Sequence, residues 1–223
     1  MPVINFLTPC IFDSGALKQL EVTAKKLGIT RAFIVTDPGI KAAGILDKVV
    51  AALGTAPAGI FAETVANPTE TQAKIATQAY KDSGADGIIA VGGGSSMDHA
   101  KAIGLMASHP EPLENYAAII GGAKKIGKIP PLIAIPTTAG TGSEVSIGMI
   151  TTMENGRKET FASPNLIPST AICDPDLTLG LPAYMTAATG MDAVTHCIEA
   201  VLTPTVNPPA EGIGYDGVVR ALG

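Results

Sequence analysis

Gly87-Ile-Ile-Ala-Val91 runs directly into Gly92-Gly-Gly-Ser-Ser-Met-Asp-His-Ala-Lys101. The first five residues read as a strand, and the glycines turn it into a helix over Met97–Met106. Glycines let backbone N–H groups approach a phosphate closely, and a helix N-terminus adds partial positive charge. Ser95 and Ser96 add hydroxyl donors. The pattern is not a strict GxGxxG, because Met97 stands where the third glycine would be. An ordinary strand-to-helix turn is the plain alternative, but three successive glycines exceed what such a turn needs. Gly93, Gly94 and Ser95 are therefore candidates for a pyrophosphate cradle. Asp98 and Lys101 read as a first-turn acid and a solvated base.

Outward from this turn, the same alternation repeats. Val3–Leu7 reads as a strand and Gly15–Leu27 as an amphipathic helix stopped by Gly28. Arg31–Thr36 is a buried-strand run, broken by Asp37-Pro-Gly39. Ile40–Leu53 reads as one helix ending at Gly54, and Ala58–Ala62 as a short strand. Asn67-Pro-Thr69 looks like a cap for a helix over Glu70–Ser83. Leu132–Pro136 is the next strand after a loop through His109-Pro110. Ile147–Met153 and Lys158–Phe161 can pair as a hairpin across Glu154-Asn-Gly156, and Ala171–Cys173 is a last strand. Strands alternating with helices predict an α/β fold with a parallel, Rossmann-like sheet. After Pro182 the pattern is helix only. The expected organisation is a dinucleotide-binding domain over 1–181 and the beginning of an all-helical, metal-binding domain over 182–223. The final Val218-Val-Arg-Ala-Leu-Gly223 lies in mid-helix by its pattern, which reads as a chain cut short.

Three further stretches carry chemistry. Asp37 ends the second strand, where a carboxylate can accept both ribose hydroxyls of an adenosine and repel a 2′-phosphate; that favours NAD over NADP. A simple Asp-Pro-Gly turn former fits the same residues. Pro136-Thr-Thr-Ala-Gly-Thr-Gly-Ser-Glu144 follows another strand, so its hydroxyls and glycines sit at the same carboxyl edge and suit a polar ligand. In Thr186–Ala200, Met191, Val194, Ile198 and Val201 recur at helical spacing. Asp192 and His196, four apart, stack on another face of that helix. A carboxylate and an imidazole pointing the same way make half of a divalent-metal site, although a helical ion pair or a capped core histidine has the same spacing.

Composition sets the class. Hydrophobic residues make up 46% and charged ones 16%, which supplies a core and argues against disorder. A net charge of −5 with no basic run argues against a nucleic-acid partner. Three cysteines without a CxxC argue against a disulfide framework and fit a reducing compartment, so a cytoplasmic location is expected. The short apolar N-terminus lacks a basic region, so it reads as a strand rather than a signal peptide, and no apolar run is long enough to span a bilayer.

Together, these stretches resemble the iron-containing (group III) alcohol dehydrogenases. The matching motifs are Gly92-Gly-Gly-Ser95 with Asp98 and Lys101, Pro136–Glu144, Asp174-Pro-Asp-Leu-Thr-Leu-Gly-Leu-Pro182, and Thr186–Ala193 with His196 and Glu199-Ala200. They run in family order over nearly the whole chain. Asn5-Phe-Leu-Thr8, Phe12-Asp-Ser-Gly-Ala16 and Val206–Gly212 look most like the 4-hydroxybutyrate dehydrogenase branch. The resemblance implies NAD and Fe²⁺, with Zn²⁺ as an alternative metal. It implies that Asp37, Asn67, Gly93, Gly94, Ser95, Thr137, Thr138 and Lys158 line the nucleotide, and that Asp192 and His196 are the first two metal ligands. The family's other two ligands are histidines further into the helical domain; His99 and His109 match neither position. The implied activity is hydride transfer between a primary alcohol, such as 4-hydroxybutyrate, and NAD, in a homo-oligomer acting on a small alcohol or aldehyde without nucleic acid or membrane. A glycerol dehydrogenase or dehydroquinate synthase-like enzyme, or an NAD-binding fragment without catalysis, are the competing readings. No catalytic base is evident.

Overall fold

The computed structural model describes residues 8–222. Six strands form one parallel sheet: β1 (Cys10–Phe12), β2 (Ala32–Val35), β3 (Gly59–Phe61), β4 (Gly87–Gly92), β5 (Leu132–Pro136) and β8 (Thr170–Cys173). Their spatial order is β1-β8-β5-β4-β2-β3. A separate antiparallel hairpin pairs β6 (Gly148–Thr152) with β7 (Lys158–Ala162). The helices are α1 (Leu20–Lys26), α2 (Pro38–Ala42), α3 (Ile45–Leu53), α4 (Glu70–Ser83), α5 (Gly94–Ser108), α6 (Ala183–Leu202) and α7 (Pro208–Leu222). Among the described residues, no helix is long and apolar enough to cross a membrane.

The central strands are apolar on both faces, as a sheet covered on both sides requires. Ile34, Ile89, Val91, Ile133 and Ile135 point to the layer of α1 and α3, where they meet Leu20, Val49 and Leu53. Their alternate neighbours Phe33, Val35, Ile88, Ala90, Leu132 and Ala134 pack on Ala76 and Tyr80 of α4 and Met97 and Ile103 of α5. A third cluster joins Leu105 and Met106 of α5 to Met149 and Phe161 of the hairpin and to Leu113, Tyr116 and Ile126 in the loop before β5. Each fully buried aliphatic or aromatic side chain contributes about 1.5–3 kcal/mol.

The chain leaves β2 for the edge strand β3 and returns as β4 on the other side of β2. That reversal opens a crevice at the carboxyl ends of β2 and β4, which are in register from Ala32–Gly87 to Val35–Ala90. Asp37 and the glycine turn sit directly beyond those ends.

Several elements differ in detail from the sequence reading. The helix expected over Ile40–Leu53 is two helices, because Gly44 takes a left-handed φ of 71° between them. The helix after the glycine turn starts at Gly94 rather than Met97, so Gly94, Ser95 and Ser96 form its first turn. Gly15–Leu27 opens as a 3-10 turn over Ala16–Gln19 before α1 begins. The strand expected at Val3–Leu7 lies outside the described residues, whereas Cys10–Phe12 pairs in parallel with β8. The hairpin forms as its Asn-Gly turn predicts, with Gly156 at φ 81°. On α6 the apolar stripe is only partly covered: Val194 is buried, but Met191 and Ile198 are exposed. Helix α7 lies instead along Cys197, Ala200 and Val201, where Gly214 has no room for a Cβ.

Candidate functional site

One cleft of about 1040 Å³ gathers the residues singled out from sequence. Asp37, Asn67, Gly93, Gly94, Ser95, Thr137, Thr138, Lys158, Asp192 and His196 all line it. They come from loops after β2, β3, β4 and β5, from the hairpin, and from α6.

The floor of the cleft is the first turn of α5. Gly93 caps this helix with no side-chain hydrogen bond, so the first N–H groups are left for a ligand. A Cβ on Gly94 would lie 2.7 Å from Thr141 Cγ2, and one on Gly93 would lie 3.2 Å from Thr138 Oγ1. The two glycine-bearing loops therefore touch. Gly94 is required by that contact whether or not a phosphate binds.

The structure bears out the turn-former reading of Asp37. Its Oδ1 accepts the Ile40 N–H at 3.0 Å and caps α2, while Oδ2 accepts the Ser96 hydroxyl at 3.2 Å. The carboxylate is thereby fixed at the crevice mouth. Asn67 is the one non-glycine residue with positive φ (57°) among the described residues. Its N–H donates to Ser95 Oγ at 3.3 Å, and its side-chain oxygen accepts from Lys158 Nζ at 2.8 Å. The hairpin is thus tied across the cleft to the glycine turn. Thr137 also lines the cleft, and its hydroxyl is buried without a protein partner among the described residues.

Lys101 is a correction. It is not solvated but fully buried, and its ammonium donates to Ser143 Oγ (3.1 Å) and to the carbonyls of Ser146 (3.0 Å) and Gly148 (2.7 Å). Asp98 accepts from the Ser143 hydroxyl at 2.6 Å and from the Ile150 N–H at 2.9 Å. Together these two residues fasten the hairpin and the Pro136–Glu144 loop to α5. Burial pushes the Lys101 ammonium down to about 8, opposed by Asp98 and Glu144. Burial raises the Asp98 and Glu144 carboxyls, opposed by their hydrogen bonds and by Lys101.

On α6, His196 Nδ1 lies 2.9 Å from the Gly140 carbonyl. A carbonyl only accepts, so Nδ1 is the protonated nitrogen, and in the neutral ring Nε2 is the one left with a lone pair. Metal-ligating histidines are held in this way, by donating the other ring N–H to a carbonyl. Asp192 lies 4.0 Å from the same ring and packs on Gly140, where a Cβ would meet its Oδ2 at 2.6 Å. The donor set fits half of a Fe²⁺ or Zn²⁺ site. Among the described residues, no group of three or more His, Cys, Asp or Glu side chains assembles. His99 is buried, with Nδ1 on the Thr64 hydroxyl and its imidazole pushed down to about 4 by burial. His109 uses both nitrogens, on the Leu105 carbonyl and the Gly127 N–H.

The Ser96–Asp37, Gly140–His196 and Thr141–Gly94 contacts were not evident from sequence. Each joins residues more than forty positions apart, and no local pattern marks such pairs.

A parallel, Rossmann-like sheet with its polar loops collected at a topological switch point defines the class as an open α/β fold of the dehydrogenase kind. The chain belongs to the iron-containing alcohol dehydrogenase family, whose model matches residues 8–175. It is 49% identical over 224 residues to a 4-hydroxybutyrate dehydrogenase of Cupriavidus necator, covering 100% of this chain and 59% of that protein. It is 35% identical to an NAD-dependent methanol dehydrogenase of Bacillus methanolicus, covering 96% of this chain and 57% of that one. The solved sulfoacetaldehyde reductase of Bifidobacterium kashiwanohense in complex with NAD+ superposes with a TM-score of 0.89 at 26% identity, over 99% of this chain and 58% of that one. The chain thus spans less than two thirds of the length of the relatives it matches.

Proposed function

We propose that the cleft binds NAD(H) and that the chain serves hydride transfer between NAD and a primary alcohol, with 4-hydroxybutyrate as the substrate. The observation that carries this reading is the convergence of Asp37, the Gly93–Ser95 turn and the Asp192/His196 pair on one crevice. The substrate assignment rests on the 49% identity to the Cupriavidus necator enzyme. Residues 1–181 act as the dinucleotide domain, and 182–223 as the start of the helical, metal-binding one.

In this reading Asp37 accepts the adenosine ribose hydroxyls, and the α5 N-terminus with Ser95 holds the pyrophosphate. Thr137, Thr138, Asn67 and Lys158 position the nicotinamide half. Asp192 and His196 Nε2 hold the metal, the Gly140 carbonyl fixing the tautomer that leaves Nε2 free. Met149, Ile150, Leu181 and Met185 line the same cleft and limit water there. When bound, the metal supplies Lewis acidity to the alcohol oxygen, and NAD supplies the hydride acceptor.

A second reading, nucleotide binding without turnover, is favoured by the two-ligand donor set, since a tight divalent site takes three or four protein groups. Titration with NADH followed by calorimetry, then Fe²⁺-dependent oxidation of 4-hydroxybutyrate, separates the readings. The expected result is saturable NADH binding that His196→Ala leaves unchanged, with any metal-dependent turnover lost in that variant. Absence of NADH binding overturns both readings. NADH binding without turnover under any metal loading leaves only the second.

A further inference from the structure

The two cysteines at the opposite edge from the switch point play no part in the cleft. Cys10 lies on the edge strand β1, and Cys173 ends its neighbour β8. The register pairs Cys10 with Ala171 and Phe12 with Cys173, so the two side chains project from the same face, one diagonal step apart. Their sulfurs are 3.4 Å from each other. Cys10 is exposed and Cys173 half-buried, and both are free thiols. The third cysteine, Cys197, lies far away on α6 against α7.

We propose that Cys10 and Cys173 form a redox-active dithiol that a peroxide oxidises to an intramolecular disulfide joining β1 to β8. A sulfur–sulfur bond needs about 2.05 Å. Strand β1 is three residues long and, among the described residues, pairs on one side only, so it can shift by the remaining gap. The order of events follows from exposure. Cys10 is the exposed sulfur that a peroxide reaches first, while burial and the neighbouring Cys10 push the half-buried Cys173 thiol up to about 12 and disfavour reaction there. The Cys10 sulfur attacks one peroxide oxygen, the O–O bond breaks, and hydroxide leaves to give a sulfenic acid. The Cys173 sulfur then attacks that sulfur. The S–S bond forms, the S–O bond breaks, and the departing hydroxide takes the Cys173 proton as water. Two thiols lose two electrons and two protons, and one peroxide becomes two waters.

The bond would reinforce a contact that already exists without it. Asp174, next to Cys173, accepts the N–H groups of Gly15 and Leu17 at 3.0 Å each. Asp176 and Leu177, further along, form part of the cleft wall. This site is independent of the proposed dehydrogenase activity.

The test treats the 223-residue chain with a small excess of hydrogen peroxide, counts free thiols, and maps peptides without reduction. Free thiols should fall from three to one, with a Cys10–Cys173 cross-linked peptide, a mass lower by two hydrogens, and full reversal by dithiothreitol. Cys197→Ser should lose both of its remaining thiols in the same way, and Cys10→Ser should keep both of its own. Retention of three thiols, a bond that includes Cys197, covalent dimers, or oxidation of Cys10 without cross-linking would each overturn the proposal. The peptide map of the unsubstituted chain decides the matter even if Cys10→Ser fails to fold.

Discussion

Asp37 shows how one carboxylate serves two roles. Its first oxygen caps α2 and its second is held by Ser96, so the charge is fixed at the crevice. Asp37→Asn keeps the cap oxygen but removes the charge that repels a 2′-phosphate. The preference for NADH over NADPH should narrow by about tenfold, roughly 1.4 kcal/mol, with little loss of stability; paired calorimetric titrations measure it. An unchanged ratio would mean the carboxylate does not face the ribose. Lys101 makes a different prediction. Its folded pKa of about 8 lies below the ordinary 10.5, so between those values the unfolded chain binds more protons. Unfolding free energy from this group therefore rises as pH goes from 8 to 10.5, by up to roughly 3 kcal/mol, and is lost again as pH falls through 8. Lys101→Met should remove that rise and leave the Ser146 and Gly148 carbonyls unpartnered, costing about 2–4 kcal/mol at pH 7. Urea denaturation of both proteins across the window checks the sign. The sequence placed Lys101 on the helix but not in the interior, because burial depends on the hairpin that covers it, more than forty residues away.

The elements meet at glycines. The first turn of α5 and the Pro136–Glu144 loop approach so closely that Gly94 cannot carry a Cβ without moving Thr141. Gly94→Val should therefore displace the second loop and weaken NADH binding at least about tenfold, roughly 1.4 kcal/mol, while the chain stays folded. Thr141→Ala in the same chain should restore part of the loss, because it removes the Cγ2 and Oγ1 that the new side chain strikes. If the double variant binds no better than the single one, the valine blocks ligand space rather than the loop. The hairpin and α4 were legible as elements from their turn and cap: Thr69 Oγ1 accepts the Gln72 N–H at 3.2 Å, as the Asn-Pro-Thr pattern implies. Their mutual docking, through Lys74 to Glu154 (2.8 Å) and through the Glu154 N–H donating to Glu70 (3.2 Å), was not.

At the scale of the whole molecule, the α/β part is closed on both faces, while α6 and α7 mainly cover each other. Tyr184, Leu202, Val219 and Leu222 are each at least 68% exposed, and with Met191 and Ile198 they leave an apolar surface on the helical pair. We expect self-association that grows with protein concentration and resists salt, as apolar contact does. Sedimentation velocity over a concentration series tests it, and a salt-insensitive monomer at high concentration would contradict it.

What the sequence determined by itself were the quantities carried by short-range pattern. Both-face apolar runs made β2, β4 and β5 central strands, the glycine turn placed a helix N-terminus after β4, and the four-residue spacing put Asp192 and His196 on one face of α6. These are set by backbone geometry within one element, so neighbours in the chain reveal them. Only the tertiary structure decided that Cys10–Phe12 joins the sheet beside β8, that Lys101 is buried, and that the Gly140 carbonyl orients His196. Each of those depends on segments distant in sequence arriving at the same place, driven by burial of apolar area that no single element possesses alone.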